Sequence, residues 1–169
     1  EVTAAALDGR LDLIEVRLYQ PLDFMLAKPL DHVADLPEPE SWWIEDKFDG
    51  VRAQAHADGG RVQLYTRSRE EVTTSYPELL DALSRMKKSA IVDGEILAWR
   101  DGRALPFAAL QQRLARKKLS QSLIESVPLV FMAYDLLYWD GRLITAEPVE
   151  TRRALLEEAV AGVSPRVLL

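Results

Sequence analysis

The sequence predicts an α+β fold in which helices flank an antiparallel or mixed sheet. Three observations lead to this prediction. Short β-rich runs begin at Trp42, two of these runs join through the turn sequence DGG at residues 58–60, and single helical segments separate the later strands. The phosphate-binding patterns GxxxxGKS/T and GxGxxG do not occur, which disfavours a doubly wound nucleotide-binding fold.

The strand prediction rests on alternation and on apolar runs. The segment VRAQAHA places its alanines on one face of a strand and Arg52, Gln54 and His56 on the other. AIVDGEILAW is predicted as strands around a glycine, and PLVFMAYDLLYW as one long buried strand. These runs supply the predicted sheet.

Three helices are predicted between and after the strands. The first spans Tyr76 to Met86, with Pro77 in its first turn. The second covers PFAALQQRLARKK, residues 106–118, and the third covers TRRALLEEAV, with Thr151 as its N-cap.

Length and composition limit the classes of protein open to this chain. Its 169 residues are 48% apolar and 28% charged, which is typical of one folded domain with a short flanking segment. The absence of cysteine excludes disulfides, thiolate metal sites and a cysteine nucleophile. His32 and His56 are too few for a histidine-rich zinc site, and we interpret both as surface or loop residues.

Proline and charge distributions divide the chain. Four prolines between residues 20 and 41 predict an irregular linker or lead-in, so residues 1–19 are interpreted as the tail of a preceding domain and residues 42–169 as the packed part. Residues 1–46 hold 11 acidic and 3 basic residues, whereas residues 47–169 hold 16 and 18. The overall charge of −6 therefore does not exclude a polyanionic partner for the larger part.

The hexamer KFDGVR, from Lys47 to Arg52, is the first candidate for chemistry. A lysine amine is nucleophilic only when it is neutral, so its pKa of ~10.4 must be lowered by burial or by nearby cations. Arg52 can supply part of that field, and Asp49 with Gly50 favours a tight turn beside the lysine. The alternative is a charged β-turn without chemistry.

Polar residues inside apolar runs are the second candidate. Asp93 and Glu95 flank a glycine in a predicted strand, where they can hold Mg²⁺ or sugar hydroxyls, or else lie on the solvent face of an edge strand. Tyr134 interrupts another apolar run and can either stack on a base or simply pack.

A basic run at the end of the second predicted helix is the third candidate. It contains no acidic residue and is interpreted either as a nucleic-acid phosphate contact or as a solvated helix end; its basic members are Arg113, Arg116, Lys117 and Lys118.

Taken together and in this order, the segments from residue 21 to residue 169 resemble the front part of the adenylation domain of ATP-dependent DNA ligases. EDKFDGVR is similar to the Lys-x-Asp-Gly-x-Arg motif of nucleotidyltransferases, and LYTRSREEVTTSYPEL is similar to the motif that follows it. IVDGEILAW and FMAYDLLYWDG resemble the next two motifs, and an Arg-Arg helix follows at Arg152 and Arg153.

The resemblance implies a nucleotidyltransferase fold, related to the ATP-grasp fold and here truncated. The family's second acidic motif, its lysine-rich strand motif and its OB-fold are not found before Leu169. We therefore expect this chain to be a fragment that is inactive alone, preceded by a DNA-binding domain of which residues 1–19 are the tail.

The activity implied by the resemblance is nick sealing in three steps. A lysine attacks the α-phosphorus of ATP, AMP passes to a DNA 5′-phosphate, and a 3′-hydroxyl displaces AMP. The implied cofactors are ATP and Mg²⁺, and the implied partner is nicked double-stranded DNA, bound by a cytoplasmic monomer without a membrane span. The implied process is DNA replication, repair or recombination.

The resemblance also assigns roles to single residues. Lys47 would carry AMP, Glu45 would lie near the adenine amino group, and Tyr134 would stack on the adenine ring. Arg52 and Arg67 would lie near the ribose and phosphates, while Glu95 would bind the ribose or a metal ion. The alternatives are an RNA ligase or an mRNA-capping guanylyltransferase using the same lysine, and a non-catalytic nucleotide-binding module.

Overall fold

A mixed sheet organises the part of the chain that the computed structural model describes, namely residues 18–36, 38, 42–114, 116 and 119–169. Most of the predicted tail at residues 1–19, together with Lys117 and Lys118, lies outside these described residues. The strands are β1 (Val51–Asp58), β2 (Arg61–Thr66), β3 (Ala90–Arg100), β4 (Arg103–Ala104), β5 (Leu129–Trp139), β6 (Arg142–Leu143) and β7 (Val167–Leu168).

The strand order confirms the predicted α+β class. The strands follow the order β2-β1-β3-β5-β6, with β4 beside β3 and β7 beside β5. Neighbouring strands run antiparallel except for the parallel pair β5 and β7, so the sheet is mixed. The predicted hairpin is present between β1 and β2, where Gly59 and Gly60 have φ of +54° and +85°, a backbone conformation that glycine adopts at little cost.

Helices cover one face of the sheet. They are α1 (Pro77–Leu83), α2 (Phe107–Gln111), α3 (Gln121–Ser126) and α4 (Val149–Val160), with 3₁₀ turns at Val33–Asp35 and Thr73–Ser75. The main core lies between this layer and the sheet, where Leu79 and Leu83 of α1 and Leu156 of α4 are buried with Phe131 of β5. The alanines of β1 face this core, as the alternation predicts.

Two of the helix predictions need correction. The helix predicted for residues 106–118 ends at Gln111, because the chain then turns and carries the Arg113 side chain into the core. Leucine, glutamine and arginine all favour helix, so here a tertiary contact overrides local propensity. The last helix begins earlier than predicted: Pro148 is the N-cap, and Thr151 lies inside the helix.

The lead-in crosses the opposite face of the sheet at β1. The Gln54 side chain accepts a hydrogen bond from the Leu22 backbone N–H at 2.9 Å and donates one to the Leu22 carbonyl at 3.0 Å. The Tyr19 backbone N–H donates to Nδ1 of His56 at 3.0 Å. The prediction that His56 is a surface or loop residue is therefore wrong, since His56 lies in β1 and is fully buried.

The middle and far end of this second face carry the polar residues of the candidate site and a small apolar cluster. Leu97, Val130 and Met132 form the buried part of the cluster, and Phe48 packs against it with Trp99 at its edge. Among the described residues, no helix is long and apolar enough to cross a membrane.

Candidate active site

Three adjacent strands bring the candidate site together. In the register of β1 and β3, Arg52 lies opposite Glu95, and Gln54 lies opposite Asp93. Side chains at alternate positions share a face, so Arg52, Asp93 and Glu95 all lie on the face away from the main core. The alternative of an exposed edge strand is wrong for Asp93 and Glu95, because β3 runs between β1 and β5.

Asp93 holds the Arg52 guanidinium by two hydrogen bonds. Nε of Arg52 donates to Oδ1 at 2.8 Å and Nη2 donates to Oδ2 at 2.9 Å, while the Asp93 side chain is completely buried. Burial raises the pKa of Asp93, and the hydrogen bonds from Arg52 oppose that rise. Burial also tends to lower the pKa of Arg52, but the hydrogen bonds and the charge of Asp93 raise it overall.

A β-bulge positions Tyr134. Asp93 pairs with Asp135 and Gly94 pairs with Ala133, so Tyr134 is the extra residue without a register partner. Bulges redirect a side chain locally, and here the opposite position is Gly94, where a Cβ would overlap the Met132 carbonyl oxygen. The Arg52 guanidinium lies over one face of the Tyr134 ring, 4.8 Å from its centroid.

Glu95 connects the lysine-bearing turn to Tyr134. One carboxylate oxygen accepts a hydrogen bond from the Gly50 backbone N–H at 2.8 Å, and the other accepts one from the Tyr134 hydroxyl at 3.1 Å. Burial and the Glu95 charge raise the pKa of Tyr134, which keeps its hydroxyl protonated as the donor. A side chain at Gly50 would overlap the Ile96 carbonyl, so the turn can approach β3 this closely only with glycine.

An open cleft of about 270 Å³ lies beside this network. Its polar lining includes Glu45, Tyr134 and Arg153, and its apolar lining includes Trp43 and Met132. Partial removal from water raises the pKa of Glu45, while the positive charges of Arg153 and then Arg52 oppose this. An aromatic ring, a carboxylate and a guanidinium together suit a flat, polar heterocycle.

Lys47 is flanked by residues that line the cleft but does not itself line it. Its side chain is exposed, and its neighbours Asp46 and Phe48 both line the cleft. Phe48 packs edge-on against Trp99 with ring centroids 6.4 Å apart, and Gly50 is held by Glu95, so contacts fix the backbone on the carboxyl side of Lys47. The structure thus places the chain neighbours of Lys47 at the cleft, and the approach of its amine to Glu45 and Tyr134 stays a prediction.

Arg67 follows β2 directly and is exposed. The last register pair of the hairpin is Ala53 with Thr66, and Arg67 begins the turn that the Arg69 backbone N–H closes by donating to the Thr66 carbonyl. Within the described part of the chain, the Arg67 guanidinium makes no hydrogen bond or ion pair and does not line the cleft, so its role at the site stays a prediction.

The predicted nucleic-acid contact at Arg113 requires correction. Arg113 is 2% exposed and donates two hydrogen bonds to Glu78, at 2.6 and 3.0 Å, and one to the Val127 carbonyl. Arg113 therefore forms a structural ion pair with Glu78, and its buried guanidinium cannot reach DNA from this position. Arg116 is exposed and donates to the Gln112 carbonyl, so its role stays a prediction, whereas Lys117 and Lys118 lie outside the described residues.

The separate roles of the two consecutive arginines of α4 were not predicted from the sequence. Asp135 accepts two hydrogen bonds from Arg152, at 2.8 and 2.9 Å, which ties α4 to the strand that bears Tyr134. Arg153 lines the cleft from the same helix. The Arg-Arg pair is visible in the sequence, but the direction of each side chain depends on how α4 packs.

Comparison with known proteins places these motifs in a family. The family of the ATP-dependent DNA ligase domain matches residues 24–168. A probable DNA ligase of Koribacter versatilis (strain Ellin345) is 39% identical over 169 residues, which cover 99% of this chain and 29% of that protein. The chain therefore spans less than a third of the length of this curated relative.

Two solved structures are similar as well. The ligase domain of LigD from M. tuberculosis has a TM-score of 0.59 and 30% identity, covering 73% of this chain and 37% of that chain. A mycobacterial DNA ligase D complexed with ATP and MES has a TM-score of 0.57 and 30% identity, covering 74% of this chain and 38% of that chain. The predicted resemblance is confirmed: the chain belongs to the family of the ATP-dependent DNA ligase domain.

Proposed function

We propose that this chain supplies the nucleotide-binding part of an ATP-dependent DNA ligase that seals nicked double-stranded DNA through a lysyl-AMP intermediate on Lys47. The observation that carries the proposal is the continuous set of contacts from Gly50, three residues after Lys47, through Glu95 to Tyr134 at the cleft. Family membership supports it, and so does the mycobacterial DNA ligase D whose structure was solved in complex with ATP.

In the first step, the neutral Nζ of Lys47 attacks the α-phosphorus of ATP. A P–N bond forms, the bond from the α-phosphorus to the bridging oxygen breaks, and pyrophosphate leaves with the electron pair while Lys47 loses a proton. Negative charge spreads over the phosphoryl oxygens in the transition state, and fixed cations stabilise it. Arg67 is exposed, so its guanidinium is free to contact the phosphates.

Arg52 contributes differently from a free cation. Nε and Nη2 of Arg52 are already bound to Asp93, and Nη2 also lies 3.4 Å from the Met25 carbonyl. Only Nη1 is left for a ligand, because Nε and Nη2 already donate hydrogen bonds to oxygens of the protein. We infer that Arg52 mainly supports the Tyr134 ring and offers the two N–H groups of Nη1 to the ribose or phosphate.

Tyr134 and Glu45 would hold the base. Arg52 covers one face of the Tyr134 ring, which leaves the other face for stacking on adenine. Glu45 lies in the same cleft, where its carboxylate can accept a hydrogen bond from the adenine amino group. Glu95 would contact the ribose through an oxygen lone pair that Gly50 and Tyr134 leave free.

Magnesium is part of the proposal as the ion that accompanies the triphosphate. Among the described residues there is no group of three or more acidic, histidine or cysteine side chains able to hold a metal. Mg²⁺ commonly binds through substrate phosphates and only one or two carboxylates, so Glu95 fits as a single protein ligand. The ion would supply charge neutralisation on the phosphates.

The test uses the full-length gene product with ATP labelled in the α-phosphate. With Mg²⁺ we expect one stable AMP adduct per molecule, which transfers to a nicked duplex that carries a 5′-phosphate. Lys47→Arg should form no adduct. Lys87→Arg replaces an exposed lysine that does not line the cleft, so it is the matched control and should label normally. Adduct formation from GTP alone would favour the guanylyltransferase, transfer only to RNA would favour an RNA ligase, and ATP binding without an adduct would favour a binding module.

The proposed protein acts as a monomer in the cytoplasm, where both ATP and nicked DNA are present. It would serve DNA replication, repair or recombination. The role of residues 20–41 as a lead-in is supported by the Gln54 and Leu22 hydrogen bonds, which attach this segment to β1.

A further inference from the structure

Two consecutive arginines of α4 have different environments. Arg152 is bound to Asp135 by two hydrogen bonds, with 12% of its side chain exposed. Arg153 makes a hydrogen bond through Nε to Glu157 at 3.2 Å and lines the cleft with Glu45 and Tyr134. The first arginine anchors the helix, and the second is presented to the cleft.

The anchor fixes where Arg153 lies relative to the aromatic ring. Asp135 is the residue after Tyr134, so the Arg152 ion pair joins α4 to β5 beside the bulge that redirects Tyr134. Arg152 also donates to the Glu147 carbonyl, which holds the start of the same helix. Arg153 is thereby held at a set position beside the ring rather than on a mobile loop.

Arg153 retains donors for a ligand. Its bond to Glu157 uses Nε, and the Glu157 side chain is 58% exposed, so water weakens that pair. Both terminal NH₂ groups are left, and neither appears in a hydrogen bond among the described residues. Arg153 is also the positive charge that acts most strongly on Glu45, as expected if the two side chains face each other across the cleft.

The pair offers one acceptor group and one donor group. A carboxylate only accepts hydrogen bonds and a guanidinium only donates them. Adenine presents its amino donor beside the acceptor N1, whereas guanine presents a carbonyl acceptor beside an N1–H donor; N7 is an acceptor in both bases. A site with Glu45 at the amino position and Arg153 at N1 therefore matches adenine, whereas guanine would place two acceptors together at Glu45 and two donors together at Arg153.

We propose that Arg153 is a specificity-determining residue, which donates to N1 of adenine while Glu45 accepts from its amino group. This inference rests on the proposed function, because it concerns the nucleotide that would occupy the same cleft. It assigns base selection to α4, an element that lies outside the strand motifs of the site.

The experiment measures equilibrium binding of ATP and of GTP to the full-length gene product and to its Arg153→Met variant. Methionine keeps much of the length and removes the donors. Loss of a hydrogen bond from a charged donor should weaken ATP binding by about 10-fold or more and leave GTP binding nearly unchanged. The ratio of the two affinities should therefore fall by about the same factor.

A matched control comes from the turn that follows α1. Arg85 forms an exposed pair with Asp81 four residues away, just as Arg153 does with Glu157, but it is not among the residues that line the cleft. Arg85→Met should leave both affinities unchanged, and circular dichroism should show that both variants are folded. Arg153→Lys, which keeps one charged donor, should recover part of the preference for ATP.

The outcomes separate this inference from the proposed function. Equal losses of ATP and GTP affinity in Arg153→Met would assign Arg153 to the phosphates and overturn the base-selection proposal, as would unchanged affinities. Failure of the unsubstituted protein to bind either nucleotide would instead contradict the proposed function itself.

Discussion

Asp93 and Arg52 form a two-point ion pair in which the carboxylate is completely buried and the guanidinium also covers one face of Tyr134. The pair joins β1 to β3, and the ring belongs to β5, so one arginine connects three adjacent strands. The polar face of the sheet is therefore held together by the side chains that form the candidate site.

Substituting Asp93→Asn should destabilise the protein and weaken ATP binding. The change leaves the Arg52 charge, 25% exposed, without its counterion, and removing one partner of a buried pair costs about 3 kcal/mol. Urea unfolding measures the loss. Asp81→Asn is the control because its pair with Arg85 is exposed, so it should change the free energy of unfolding by less than about 1 kcal/mol. Equal effects of the two substitutions would contradict this account.

Substituting Arg113→Met should destabilise the protein without a specific effect on DNA. The substitution leaves the Glu78 carboxylate, with 9% of its side chain exposed, unpaired at a cost of about 3 kcal/mol. Arg116→Met, which replaces an exposed arginine three residues further along the chain, should leave the unfolding midpoint unchanged. Thermal unfolding compares the two variants, and a stable Arg113→Met protein with impaired DNA binding would restore the original prediction for Arg113.

Acid should weaken the attachment of the lead-in through His56. Burial lowers the pKa of His56 from 6.5 to about 4. Since the folded state then binds its proton only at lower pH than the unfolded state, the free energy of unfolding falls as the pH drops from 6.5 towards 4, by up to about 3 kcal/mol. Protonation at Nδ1 would also remove the acceptor for the Tyr19 N–H.

The comparison variant for this pH effect is His56→Asn, whose side-chain oxygen can still accept from Tyr19 but does not titrate. Its free energy of unfolding should depend less on pH than that of the unsubstituted protein across the same range. Tyr65 and Arg61 near this histidine are present in both proteins, so the difference isolates His56. Parallel pH profiles would show that His56 does not titrate in this way.

The sequence predicts those parts of the fold that depend on local pattern. The hairpin at Gly59 and Gly60, the inward alanines of β1 and the helix at Pro77 all follow from alternation or from turn chemistry. The length of α2 and the burial of Arg113 could not be predicted, because they depend on Glu78, 35 residues away along the chain.

The candidate site shows the same division between local pattern and tertiary packing. Lys47, Glu95 and Tyr134 stand out because charged or polar residues interrupt β-rich runs. The bulge that gives Tyr134 its direction, and the ion pair that brings Arg153 to the cleft, depend on strand register and helix packing. Periodicity alone does not encode either of them.

The most direct test of the central claim is to locate the AMP adduct in the full-length gene product after incubation with ATP and Mg²⁺. Proteolysis followed by mass spectrometry should find one AMP on the peptide that contains Lys47, and Lys47→Arg should abolish it while ATP still binds. An adduct on another residue, or an adduct that persists in Lys47→Arg, would contradict the assignment of Lys47 as the nucleophile.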